Sequence, residues 1–221
     1  MKILAIDTST DYLSVAITDG NRTLARFHRK VGRRHSDLLV PTIKSLVKRC
    51  GMRPEDLSAL FVGVGPGSFT GLRIGVATIK AMAYALRIPI VAVGSLDAIA
   101  GNASGHKGLV SPVLDARKNK VYACLYRSDG KAVRRISRYL LLTAGELAKK
   151  VAGREVLFLG DGVDILKAAG IAACEVLKYW QPKAETVARL GMEDLKKNRF
   201  KTAEELEPLF LYSKECDITG R

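Results

Sequence analysis

Short apolar runs separated by polar turns open the chain, and helical spacing takes over further on. Lys2–Ile6 is apolar and stops at Asp7-Thr8-Ser9-Thr10. Leu13–Thr18 and Thr23–Arg29 follow, joined by Asp19-Gly20-Asn21, so three strands are predicted with a hairpin between the second and third. From His35 the pattern is helical. Leu39, Ile43, Leu46, Val47 and Cys50 share one stripe, with Ser36 as the expected N-cap and Gly51 as the C-cap. A buried strand is expected at Leu60–Val62 and a long helix at Gly71–Leu86. That second helix is apolar around most of its circumference, Arg73 and Lys80 excepted, which predicts burial on more than one side. Gly71, Gly75, Thr78 and Met82 fall on one of its stripes, and the first three are small enough to admit another helix. A strand at Ile88–Val93 and a short helix after Gly94 complete the first half.

The second half repeats the order. Strands are expected at Leu109–Leu114, Val121–Tyr126 and near Ala132–Ile136, with Asp115-Ala116-Arg117 as a turn. Thr143–Val151 is a helix with Thr143 and Glu146 in capping-box spacing. Glu155–Leu159 is the next strand, and Ala184–Leu195 a last helix. Two such rounds predict a duplicated α/β unit with any ligand cleft between the halves. The glycine-rich stretch Gly101–Gly108 puts the boundary between domains 1–104 and 105–221, with a tail from about 206 packing back onto the first.

The 221 residues, 48% hydrophobic, suffice for a sizeable core in one or two domains. No run reaches the ~18 apolar residues that span a bilayer. Asp7 and Asp11 interrupt any secretory leader, so a cytoplasmic protein without a membrane role is expected. Cys50, Cys124, Cys174 and Cys216 stand far apart with no CxxC pair, which fits reduced thiols. The net charge is +14. Up to Gly105 there are 14 basic and 7 acidic residues, and beyond it 22 and 15, so each half carries +7. General basicity suits a polyanion such as tRNA, and equally suits solubility. Lys118, Lys120, Arg134, Arg135 and Arg138 are the candidate patch in the second half.

Three places carry candidate chemistry. Strand, glycine-rich turn and helix start at Val62–Gly71 form the geometry of an anion site, because free N–H groups and the helix dipole point at the turn. Tight packing explains the same glycines, and spacing does not separate the two. Neither a Walker loop nor a dinucleotide fingerprint fits. Asp7-Thr8-Ser9-Thr10 would hold a phosphate or a magnesium water, or satisfy its own backbone. Asp115 and Arg117 would hold magnesium and a phosphate, or pair with each other or with a partner subunit, and a structural role is the favoured reading. His28, His35 and His106 lie at no metal-ligand spacing.

As a whole string, Gly65-Pro66-Gly67-Ser68-Phe69-Thr70-Gly71-Leu72-Arg73-Ile74-Gly75 resembles the signature of the TsaB family of tRNA threonylcarbamoyladenosine biosynthesis proteins. Ile6-Asp7-Thr8-Ser9-Thr10 resembles the first phosphate motif of the actin-like ATPase and sugar-kinase superfamily, and the start of TsaB proteins. The superfamily has glycine where Thr8 stands, and the Cβ of Thr8 would crowd a phosphate. His35-Ser36-Asp37-Leu38-Leu39 resembles the family's His-Ser-x-x-Leu-Leu-Pro. The catalytic relative TsaD has His-x-x-x-His on that helix, whereas here Leu39 occupies the second position. Pro208-Leu209-Phe210-Leu211-Tyr212 departs from the family's terminal Pro-x-Tyr-Leu-Arg.

The resemblance implies two duplicated actin-like domains and a non-catalytic, metal-free subunit. Such a subunit pairs with TsaD, or with itself when alone, and works with TsaE and tRNA in threonylcarbamoyl transfer to an adenosine beside the anticodon. The implied interface is Leu39, Ile43, Leu46 and Val47 with Leu72, Gly75, Thr78 and Met82. Asp7, Thr8, Ser9, Thr10, Gly65, Gly67, Ser68, Asp115 and Arg117 would be the remnant of a phosphate site. No cofactor is required on this reading, and weak ATP or ADP binding is the most that remnant would give. The alternatives are an independent ATPase or sugar kinase, for which Gly160-Asp161-Gly162 is too little, and an M22-type metallopeptidase, which lacks its second ligand.

Overall fold

A computed structural model describes residues 1–171, 175–176 (backbone only) and 180–212; Cys174 and Cys216 lie outside the described residues. The chain forms two units, Met1–Asn102 with Gln181–Pro208, and Ala103–Trp180 continued from Leu209.

In the first unit β1 (Lys2–Asp7), β2 (Tyr12–Asp19), β3 (Arg22–Lys30), β4 (Ala59–Gly63) and β5 (Ile90–Val93) make one sheet in the order β3-β2-β1-β4-β5. The first three strands are antiparallel, while β4 and β5 run parallel to β1. Side chains alternate across a strand, and both faces are covered. Ile3, Ala5, Phe61, Val91 and Val93 pack against α3 (Ser95–Ala100) and a helix from the far end of the chain, Ala184–Lys196. Gly191 lets that helix lie on Phe61, since a Cβ there would stand 2.5 Å from the ring. The other face carries α1 (His35–Arg49) over β2 and β3, and α2 (Phe69–Leu86) over β4.

Two starts differ from expectation. Helix α1 begins at His35, and the Ser36 hydroxyl donates to Asp37 Oδ1 at 3.1 Å instead of capping. The buried His35 ring turns inward, with Nε2 3.2 Å from the Tyr12 carbonyl oxygen, and pins the helix to β2. Helix α2 starts two residues early because Ser68 Oγ accepts the Gly71 N–H at 3.2 Å.

The second unit repeats the plan around β6 (Lys107–Arg117), β7 (Lys120–Ala123), β8 (Tyr126–Asp129), β9 (Val133–Arg135), β10 (Leu140–Thr143), β11 (Val156–Leu159) and β12 (Glu175–Val176), with α4 (Ala144–Val151) and α5 (Val163–Ala168). Its path β10-β7-β6-β11-β12 matches that of the first unit, as duplication requires. The expected strand Val121–Tyr126 is broken. Residues on both sides of Cys124 and Leu125 keep one register against β6. In that register Pro112 falls opposite Cys124, and proline has no N–H to close the ladder. Leu125 N–H bonds Ser137 Oγ at 2.9 Å instead, so β7 goes on to pair β10 and β8 to pair β9. The Thr143–Glu146 capping box is present.

The expected division at 104 falls two residues from the break between the units. The boundary lies at Asn102, and the return to the first unit begins at Gln181, well before 206. The cause is the apolar face of Ala184–Lys196, here α6, whose Ala184, Val187 and Ala188 complete the first core.

Candidate functional site

The β1–β2 turn docks into the glycine-rich β4–α2 turn. Asp7 is fully buried. Its Oδ1 accepts Ser9 N–H at 2.9 Å and Ser9 Oγ–H at 2.7 Å, and its Oδ2 accepts Ser95 Oγ–H at 2.9 Å. Ser95 Oγ in turn accepts Gly65 N–H at 3.1 Å. Ser68 N–H donates to the Ser9 carbonyl at 2.7 Å, and Thr8 Oγ1 donates to the Gly71 carbonyl at 2.8 Å. Tyr12 N–H reaches Thr10 Oγ1 at 3.2 Å.

The glycines serve this docking. A Cβ at Gly63 would fall inside the Asp7 carboxylate, one at Gly67 or Gly71 would strike the carbonyl oxygens of Ser9 or Thr8, and one at Gly75 would strike Thr8 Oγ1. Three of the donors that suggested an anion cradle, the N–H groups of Gly65, Ser68 and Gly71, are thus used within the protein. Asp7, Thr8, Ser9, Thr10, Gly65, Gly67 and Ser68 do come together, in a joint whose Asp7 side is buried and whose Ser68 side is exposed. Asp115 and Arg117 belong to the other unit and hold each other: Arg117 N–H reaches Asp115 Oδ1 at 2.7 Å and its Nη1 reaches Oδ2 at 3.0 Å. Tyr212, from the altered terminal motif, closes that turn by donating to the Ala116 carbonyl at 2.9 Å.

Burial pushes the Asp7 carboxyl above its ordinary 3.8, and the bonds from Ser9 and Ser95 and the nearby His35 only partly oppose it. The folded state therefore holds this proton more tightly. The associated stability is full below pH 3.8 and is lost as pH rises through the higher folded value. Asp7→Asn keeps the acceptor for Ser9 and offers an amide donor to Ser95. It should remove that decline, which urea unfolding of both proteins from below pH 3.8 upward would measure. A wild-type decline that survives the substitution would contradict the assignment.

The helices divide the expected interface residues between the core and the surface. Leu39, Ile43, Leu46 and Val47 are buried against the protein's own sheet, and so are Leu72 and Gly75. Thr78 and Met82 are half-exposed. The outward stripe of α2 runs Ile74, Ala77, Thr78, Ala81, Met82 and Ala85, at spacings of three and four, with its three alanines exposed and the others half-buried. Tyr84 beside it is 75% exposed, and Val40 on α1 is 43% exposed. A lone surface helix would be polar there. The stripe ends at a groove of about 730 Å³ between Tyr84 and Phe200. Among the described residues no three His, Cys, Asp or Glu side chains converge as metal ligands.

Residues 25–209 match the family model TsaD, tRNA N6-adenosine threonylcarbamoyltransferase. The chain is 38% identical to the tRNA threonylcarbamoyladenosine biosynthesis protein TsaB of Bacillus subtilis, over 76% of this chain and 74% of the relative. It is 34% identical to the Escherichia coli protein of that name, over 60% of this chain and 58% of the relative. The solved structure of YeaZ from Pseudomonas aeruginosa superposes with a TM-score of 0.81 at 25% identity, covering 95% of this chain and all of that one (100%).

Proposed function

This chain belongs to the TsaD-related family and, within it, to the TsaB group of tRNA threonylcarbamoyladenosine biosynthesis proteins, and we propose that it serves there as a non-catalytic scaffold. Its work is to hold a TsaD subunit by helix packing, in a cytoplasmic complex that includes TsaE. The transferase subunit carries the chemistry. The outward α2 stripe carries this reading: small side chains let a second helix approach closely, and Ile74, Met82 and Tyr84 supply apolar area at its flanks. The same stripe fits a second copy of the chain, so a homodimer forms when the transferase is absent. Two features agree with a non-catalytic role. Leu39 is buried where the catalytic relative has a metal ligand, and the Asp7 turn is closed by its own hydroxyls. No cofactor takes part in pairing.

Size-exclusion chromatography with light scattering tests this on the chain alone and mixed with a TsaD subunit. A species of twice the 24.0 kDa chain mass that gives way to a heterodimer is expected. A monomer indifferent to TsaD would refute the scaffold role, and ATP turnover by the pure chain would favour an independent ATPase.

A further inference from the structure

We infer that the edge strand β3 and the loop into α1 form an RNA-backbone surface, which this subunit adds to the complex beside its helix face. The inference rests on the reading of the protein as part of a tRNA-modifying assembly. Residues 22–34 hold Arg22, Arg26, Arg29, Lys30, Arg33 and Arg34 with no acidic residue among them. All six are exposed. Strand β3 is the outer strand of its sheet, so one side of its backbone has no neighbouring strand. Alternation sends Arg26 and Lys30 to the α6 side and Arg29 to the α1 side, and the strand becomes a ridge charged on both flanks.

Some of this charge is locally matched. Arg26 Nη1 meets Glu185 at 3.1 Å, and Lys30 stands 3.9 Å from Asp11. Among the described residues Arg29, Arg33 and Arg34 have no carboxylate at ion-pair distance. Arg29 instead lies 5.8 Å over the Phe27 ring. Lysine and arginine on an edge strand also deter sheet-to-sheet aggregation. That accounts for charges within β3 but not for Arg33 and Arg34, which follow it. Those two precede the first turn of α1, where the helix dipole disfavours cations, and Arg34 makes no side-chain capping bond. Asp37 stands in that same first turn, yet among the described residues neither arginine forms an ion pair, and an external anion would supply the missing partner.

The second-half cluster competes poorly for this role. Arg135 is stacked 4.7 Å over Tyr139, Lys120 lies 6.0 Å from the Tyr212 ring, and Arg117 holds Asp115. A phosphate backbone is the occupant that matches an extended, acid-free row of arginines, because it presents negative charge at repeated intervals without needing a shaped pocket.

The test is fluorescence-anisotropy titration of an unmodified tRNA with the full-length chain, and with its TsaD mixture, between 50 and 200 mM salt. The triple variant R29E/R33E/R34E is compared with K149E/K150E/R154E, an equal change of charge at exposed residues elsewhere. The first variant should bind at least ~10-fold more weakly, with the log–log salt slope shallower by about 2 to 3, while the second changes little. Equal losses in both would reduce the effect to net charge and overturn the proposal. So would unchanged tRNA binding, including the case in which R29E/R33E/R34E loses TsaD instead, which would assign the ridge to a protein partner. Light scattering of the wild-type mixture separates the premises: absent pairing refutes the scaffold, whereas intact pairing with unaltered tRNA affinity refutes the ridge alone.

Discussion

Gly71→Ala should destabilise the protein by about 3 kcal/mol, a large fraction of the 5–15 kcal/mol typical of folded domains. The added methyl would strike the carbonyl oxygen of Thr8, a backbone atom with no rotamer to change. Thr8 is also tied to Gly71 through its hydroxyl, so any retreat of the turn breaks a buried hydrogen bond worth another ~1 kcal/mol. The ordinary gain from replacing glycine in a helix, ~0.5–1 kcal/mol, is too small to offset this. Gly145 supplies the control. It lies within α4 with open space where its Cβ would stand, so Gly145→Ala should stabilise by about 0.5–1 kcal/mol. Urea unfolding at one pH measures both. A Gly71→Ala cost below ~1 kcal/mol would mean that the two turns are not docked as described.

Ala81→Glu should abolish pairing with TsaD while leaving the monomer's melting temperature within a few degrees of wild type. Ala81 is exposed in the middle of the α2 stripe, so a glutamate there is solvated in the monomer. In a helix-packed complex the carboxylate would be buried unpaired, at a cost of about 3 kcal/mol or more, which is at least ~100-fold in Kd. Light scattering reads the pairing and calorimetry the fold. Leu39→Asp makes the contrast: Leu39 is fully buried, so a charge there should unfold the monomer before any partner is met. Normal pairing by Ala81→Glu would move the interface off this face of α2.

The contrast between Ala81 and Leu39 also shows what the sequence can convey. Apolar periodicity located α1 and α2 to within two residues, because each must bury a face. The same signal does not separate a stripe that faces the protein's own core from one that faces a partner. The strongest apolar stripe, Leu39, Ile43, Leu46 and Val47, is the one the sheet claims first. What remains for a partner is alanine, threonine and methionine, whose signal is weak when read alone. That weaker stripe lies opposite the buried Leu72, Val76, Ile79 and Ala83 of α2.

The glycine-rich turn was legible as a place needing space. What fills the space was not, because Thr8 reaches Gly71 across 63 positions. The broken strand at Cys124 was hidden for a similar reason, since its cause, Pro112, acts from the neighbouring strand. Duplication was legible in the repeated element order. The return of α6 to the first unit was not, because an amphipathic helix does not name the sheet it covers.

That return has a consequence for synthesis on the ribosome. The first ~100 residues emerge with Ile3, Ala5, Phe61 and Val93 on a sheet face whose cover, Ala184–Lys196, has not yet been translated. At 5–20 residues per second, the wait between Val93 and Ala184 is roughly 5–20 s. Most of the second unit is made during that interval as one continuous piece, free to fold first. The nascent chain thus has most of its second unit ready to fold while its first still exposes a greasy sheet, the period in which a chaperone at the exit tunnel would matter most.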